Sequence, residues 1–146
     1  MIRIAFYRGR GNAIDSIVRV WTQSIYSHTE IVIDDIWYGA SPRDGGVVRR
    51  RVSPKKENWD YIDIECSDVE KTAVIEFLEE QIGKRYDYLG IFTAQIIGVN
   101  ADDKKKWFCS ELAASALIDA GIVTLPYVPN YYSPARLCAA LQHTRR

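Results

Sequence analysis

Trp107-Phe108-Cys109-Ser110-Glu111-Leu112-Ala113-Ala114 runs on into Ser115-Ala116-Leu117-Ile118-Asp119-Ala120-Gly121. It follows a hydrophilic loop, Asn100 to Lys106, and stops at Gly121, which predicts a helix beginning at or beside a cysteine. A thiol at a helix N-terminus lies in the positive end of the backbone dipole, where thiolate is favoured over thiol. Such a cysteine becomes a nucleophile if the chain supplies a base, a group to orient that base, and a cleft.

Only two histidines are present. His143 lies three residues from the last position, in a region where chains usually fray. His28 opens a strand directly after Tyr26-Ser27, where an imidazole can be held rigidly. A Cys–His pair lets the imidazole take the thiol proton and later return it to a leaving group. Glu30 lies two residues on and shares a strand face with His28, about 6.6 Å along the chain. That is within reach of a ring nitrogen or a catalytic water. Thr29, Ile31 and Ile33 then point the other way, into the core. Each residue also has a plain structural reading: a satisfied strand histidine, an inert buried cysteine, a surface carboxylate.

The remaining segments predict α+β architecture in a single domain spanning 1–146. Ile2, Ile4 and Phe6 alternate with Arg3, Ala5 and Tyr7 as a first strand. Asn12 can cap a helix to about Gln23, with Ile14, Ile17, Val18 and Trp21 on one face. Ser27 to Asp34 is a strand; Asp34-Asp35 signals a turn into Ile36-Trp37-Tyr38 and so a hairpin. Further strands are expected at Val47 to Val52 and at Trp59 to Cys66, where Cys66 reads as a small core residue. Ser67-Asp68-Val69-Glu70 is a capping box opening a helix with Val74, Phe77, Leu78 and Ile82 on one stripe, closed at Gly83. Lys84 to Tyr88 is a connector, Leu89 to Gly98 a buried helix, and Ser133-Pro134 the start of a last helix with Leu137 and Leu141 facing the core.

Composition narrows the function classes. Apolar residues make up 47% and charged residues 26% of the 146 positions, an ordinary globular balance. Nineteen basic and nineteen acidic side chains cancel, giving no electrostatic argument for nucleic acid or an anionic membrane. Arg49-Arg50-Arg51 and Lys104-Lys105-Lys106 read as solvated edges. The N-terminus lacks the apolar run of a signal peptide, and no segment has the roughly 18 consecutive apolar residues of a membrane span. Three widely spaced cysteines, Cys66, Cys109 and Cys138, argue against a disulfide framework and for a reducing, cytoplasmic compartment. No Cys-x-x-Cys or His-x-x-x-His spacing supports zinc, and Gly9-Arg10-Gly11-Asn12 has no continuation into a nucleotide-binding motif. No cofactor is expected.

Tyr26-Ser27-His28-Thr29, a strand pair, Gly83-Lys84-Arg85-Tyr86-Asp87-Tyr88 and Phe108-Cys109-Ser110-Glu111-Leu112, in that order, resemble the YiiX/YebB-like group. This is the circularly permuted branch of the NlpC-type papain-like cysteine hydrolases. The likeness spans Ile4 to about Gly121 and rests on the joint order of short motifs. In papain-like enzymes the cysteine helix precedes the histidine strand; here His28 comes first, as expected of the permuted branch. The resemblance implies a papain-like α+β fold, with the cysteine helix on a small antiparallel sheet. It also implies Cys109 as thiol nucleophile and His28 as base, acting on amide or ester carbonyls through a thioester. The Cys109 amide would be one donor to the oxyanion.

The chain departs from the group's pattern at the third residue. Relatives place an acid on the strand after the histidine strand, followed by a small residue, whereas the corresponding stretch here is Tyr38-Gly39-Ala40-Ser41. Glu30 is the preferred orienting residue, because a carboxylate orients and charge-stabilises imidazole better than a hydroxyl; Ser41 is the alternative. Tyr26, Tyr86 and Tyr88 flank the two catalytic segments and are candidate substrate-contacting residues, with core-edge packing as the competing reading. A peptide, a peptidoglycan fragment or an acyl substrate are the candidates. Peptidoglycan would be reached only after lysis or through delivery by phage or secretion machinery. An ester or lipid acyl hydrolase or acyltransferase, and a non-catalytic binding module, are the alternatives to a peptidase or amidase. The oligomeric state is left open.

Overall fold

The computed structural model describes residues 1–9, 25–41, 43–51, 56–86 and 106–144. The expected helices at 12–23 and 89–98 lie outside the described residues.

Five strands form the body of one sheet: β1 (Ile2–Tyr7), β2 (His28–Ile33), β3 (Ile36–Ser41), β4 (Gly46–Arg50) and β5 (Trp59–Ile64). Two short strands, β6 (Arg85–Tyr86) and β7 (Lys106–Trp107), extend it to the order β5-β1-β2-β3-β4-β6-β7. All pairings are antiparallel except β6 with β7, which run parallel. The helices among the described residues are α1 (Asp68–Gln81), α2 (Cys109–Asp119) and α3 (Pro134–Thr144). The architecture is α+β, and no helix among the described residues is long and apolar enough to cross a membrane.

Local signals place most of these elements. Asp34 and Asp35 both have positive φ, 48° and 65°, the handedness that lets a two-residue turn match the strand twist of a hairpin. The register follows, with Ile31 opposite Tyr38 and Ile33 opposite Ile36. The Ser67 hydroxyl accepts from the Glu70 amide at 3.2 Å, and the Glu70 carboxylate accepts from the Ser67 amide at 2.7 Å, completing the capping box. Ser133 caps α3 by accepting from the Arg136 amide at 3.3 Å.

Alternation gives the sheet two different faces. Ile2, Ile4, Phe6, Ile31 and Ile33 enter the main core with Val74 and Leu78 of α1 and Leu137 and Leu141 of α3. The cysteine helix α2 packs on β2 and β3 and contributes Leu112, Ala113, Ala116 and Leu117 to that core. Its alanines carry little side chain, so the helix can lie close to the strands. The opposite face holds a smaller cluster of Ala5, Trp37 and Trp59, with Tyr7, Val32 and Tyr61 against it.

Three boundaries differ from expectation. Ile82 caps the C-terminus of α1 and is 38% exposed rather than on the buried stripe. Strand β5 ends at Ile64, leaving Cys66 half-buried in the short connection before α1. Lys84 to Tyr86 and Lys106-Trp107, read as connector and helix lead-in, contain the paired strands β6 and β7. Two-residue strands leave no periodicity to detect.

Leu112 is fully buried at the centre of the α2 contact, whereas Val69 is 80% exposed on α1. Leu112→Ala is expected to cost about 2–5 kcal/mol in urea unfolding. Val69→Ala should stay within about 0.5 kcal/mol. Comparable losses in both variants would contradict this placement of the core.

Candidate active site

Cys109 is the first residue of α2, and β7 delivers the chain to it. Phe108 occupies the N-cap in extended conformation with no side-chain cap hydrogen bond, so it leaves the first-turn amides without a side-chain acceptor. The helix start is tied down instead by Ser110, whose buried hydroxyl donates to the Tyr132 carbonyl at 2.5 Å. Cys109 itself is 5% exposed, and all three cysteines are free thiols.

His28 is the first residue of β2, at the end of the sheet beside this helix terminus. Its Nε2 is 3.0 Å from Glu30 Oε1, the i, i+2 contact expected of one strand face. Cys109 lies close enough to act on it electrostatically. Trp59 closes one side of the ring edge-on, at 6.2 Å between centroids. Burial works to lower the His28 pKa, but charge and hydrogen bonding from Cys109, followed by Glu30, outweigh it and push it up to about 10 from 6.5.

Glu30 is 2% exposed. Its Oε1 also receives Arg50 Nη2, and its Oε2 has no hydrogen-bond partner among the described residues. The space for this carboxylate comes from the neighbouring strand. One step beyond the Ile31–Tyr38 pair, the register sets Gly39 opposite Glu30. A Cβ at Gly39 would stand 2.9 Å from Glu30 Cγ and 3.1 Å from its carboxyl carbon and Oε1. The position that lacks an acid is therefore the position whose missing side chain makes room for one.

Ser41 lies further out. Its hydroxyl donates to Asp44 Oδ2 at 2.7 Å, and the same oxygen accepts from Arg50 Nη1 at 3.1 Å. Burial disfavours the Asp44 carboxylate, but Ser41 and the Arg50 charge more than offset this and hold its pKa below the usual range. Ser41 thus reaches the imidazole only through Asp44, Arg50 and Glu30, while Glu30 touches it directly.

The tyrosines divide. Tyr26 is half-buried against Phe6, with ring centroids 5.4 Å apart, and its hydroxyl donates to Asp60 at 2.8 Å. Burial and that bond raise its pKa, and Cys138 of α3 lies beside it. Its visible contacts brace the segment leading into His28. Tyr86 pairs with Trp107 through the β6–β7 ladder, and its side chain lies outside the described residues, as does all of Tyr88. His143 is exposed on the last turn of α3.

Arg50 and Gly39 take roles here that their sequence context does not announce. Arg50 sits in a basic run expected to be solvated, yet it is half-buried between Glu30 and Asp44, while Arg49 turns to the other face and pairs with Glu79 at 2.5 Å. Strand alternation was the available signal, since it puts successive arginines on opposite faces. Among the described residues no group of three or more His, Cys, Asp or Glu side chains could hold a metal ion. No family model matches the chain, and no curated protein matches its sequence.

The imidazole of His28, followed by NMR, should titrate near pH 10 and at a clearly lower pH in Cys109→Ala, which removes the strongest raising partner. Because the folded-state pKa is raised, the stability His28 contributes is complete below about 6.5 and is lost as pH climbs to about 10. The stability gap between the native protein and His28→Ala should narrow over that window; a constant gap would contradict the pairing. Gly39→Ala should push Glu30 off the imidazole, lowering the His28 midpoint as Glu30→Gln does, whereas an unchanged midpoint would contradict the cradle.

Proposed function

We propose that this protein is a cysteine hydrolase of the circularly permuted, NlpC-type papain-like kind, cleaving an amide bond as a peptidase or amidase. The observation that carries the reading is His28 bound by Glu30 and acting beside Cys109, the first residue of a helix. The chain order supports it as well, since the histidine strand β2 precedes the cysteine helix that packs on it.

In this reading the Cys109 sulfur, as thiolate beside a protonated His28, attacks the substrate carbonyl carbon. The carbonyl π electrons move to oxygen, and the Cys109 amide at the open helix N-terminus donates to that oxyanion. Collapse of the tetrahedral species breaks the carbon–nitrogen bond. His28 gives its proton to the departing amine, leaving a thioester on Cys109 and a neutral imidazole. The neutral imidazole then removes a proton from water, whose oxygen attacks the thioester. Collapse releases the carboxylic acid and restores the starting ion pair. Glu30 keeps the ring turned toward the sulfur and stabilises its charged form.

Peptides and peptidoglycan fragments are the substrate classes that fit amide cleavage. Three free thiols suit a reducing, cytoplasmic compartment, and a wall-derived substrate would then be met after lysis or delivery.

Iodoacetamide should label Cys109 faster than Cys66 or Cys138, and His28→Ala should remove the advantage. Cys109→Ala should lower peptide or amide turnover by at least roughly a thousandfold. Equal labelling of the three cysteines would sink the reading, and acyl release from phospholipid without peptide cleavage would reassign the substrate to esters.

A further inference from the structure

We propose that Arg50 is a positioning residue of this site, acting on His28 through Glu30 and itself set by Asp44 and Ser41 of the β3–β4 turn. The proposal rests on the reading of Cys109 as nucleophile and His28 as base.

A carboxylate as buried as Glu30 is costly unless it is paired and hydrogen-bonded. His28 alone is an unreliable partner, because its charge comes and goes in the proton transfers assigned to it. Arg50 carries a permanent charge and binds the same oxygen that faces Nε2, so one oxygen is committed to both cations. Its second terminal nitrogen is fixed by Asp44 at 3.1 Å, and Asp44 is fixed by the Ser41 hydroxyl at 2.7 Å and through its own amide on the Ser41 oxygen at 3.2 Å. The guanidinium is therefore forked between an inner and an outer carboxylate, and the turn that joins β3 to β4 holds the outer one. Gly39 closes the other side of Glu30, since any side chain there would collide with it. The carboxylate has a cation on one flank and a strand backbone on the other, which leaves one rotamer facing the imidazole.

Among the described residues, the titratable groups acting on His28 are Cys109 from α2 and Glu30 from β2, with Arg50 of β4 behind the carboxylate. Without the guanidinium, Glu30 is free to turn off Nε2, and His28 loses one of the two groups that raise its pKa.

The test compares Cys109 alkylation by iodoacetamide and the His28 NMR titration midpoint in the native protein, Arg50→Met, Arg50→Lys, Glu30→Gln and the Arg50→Met/Glu30→Gln double variant. Arg50→Met is expected to slow alkylation about tenfold, to lower the His28 midpoint toward that of Glu30→Gln, and to add nothing in the Glu30→Gln background. Arg50→Lys keeps the charge without the fork and should recover part of both losses. Asp44→Asn should shift both readouts in the same direction by less, and it carries the test if Arg50→Met does not fold. A native midpoint in Arg50→Met, or equal effects of that substitution in both backgrounds, would overturn the proposal. If native Cys109 is alkylated no faster than Cys66 and Cys138, the nucleophile assignment fails instead, and the midpoints still decide the role of Arg50.

Discussion

The buried carboxylate of Glu30 constrains everything around it. A charge removed from water must be met by opposite charge and by hydrogen-bond donors, or it destabilises the fold. Here a histidine two residues earlier and an arginine two strands away both converge on one oxygen. Meeting that requirement fixes the imidazole, the guanidinium and the absence of a side chain at Gly39 together. The site is thus built across β2, β3 and β4, and only its thiol comes from a helix.

The two faces of the sheet divide the labour. The aliphatic face buries α2 and fixes where its N-terminus can be, while the opposite face carries the Glu30–Arg50 pair, Trp37 and Trp59. His28 stands at the end of β2, where both sides are within reach, so it can face the thiol while keeping its carboxylate partner. A strand-end histidine beside a helix N-terminus needs only rigid packing of α2 to stay aligned. Leu112 and Leu117 anchor the helix to the core, and Ser110 fixes its first turn to the Tyr132 carbonyl.

Features written in local periodicity were legible in the chain. The capping box at Ser67, the Asp34-Asp35 hairpin, the cysteine helix and the shared face of His28 and Glu30 all follow from spacings of two to four residues. What depends on register between strands was not. Arg50 read as one member of a basic run, because its partner Glu30 lies 20 positions away and is reached only once β3 is laid between them. Gly39 read as a missing acid, and the cross-strand geometry gives it the opposite meaning, a vacancy that accommodates the acid of β2. The two-residue strands β6 and β7 are held by pairing alone, so nothing in their own sequence announces them. Tyr26 was legible as a neighbour of the site but not as a brace, since Asp60 and Cys138 come to it from β5 and α3.

In the proposed reaction Cys109 forms a covalent acyl intermediate, with His28 as its proton acceptor and donor. The most direct measurement is mass spectrometry of the protein quenched shortly after mixing with an activated acyl ester, with the modified peptide identified. One acyl group on Cys109, absent in Cys109→Ala and strongly reduced in His28→Ala, is the result this account requires. Acylation spread over Cys66 and Cys138, or acylation of Cys109 that is indifferent to His28, would contradict it.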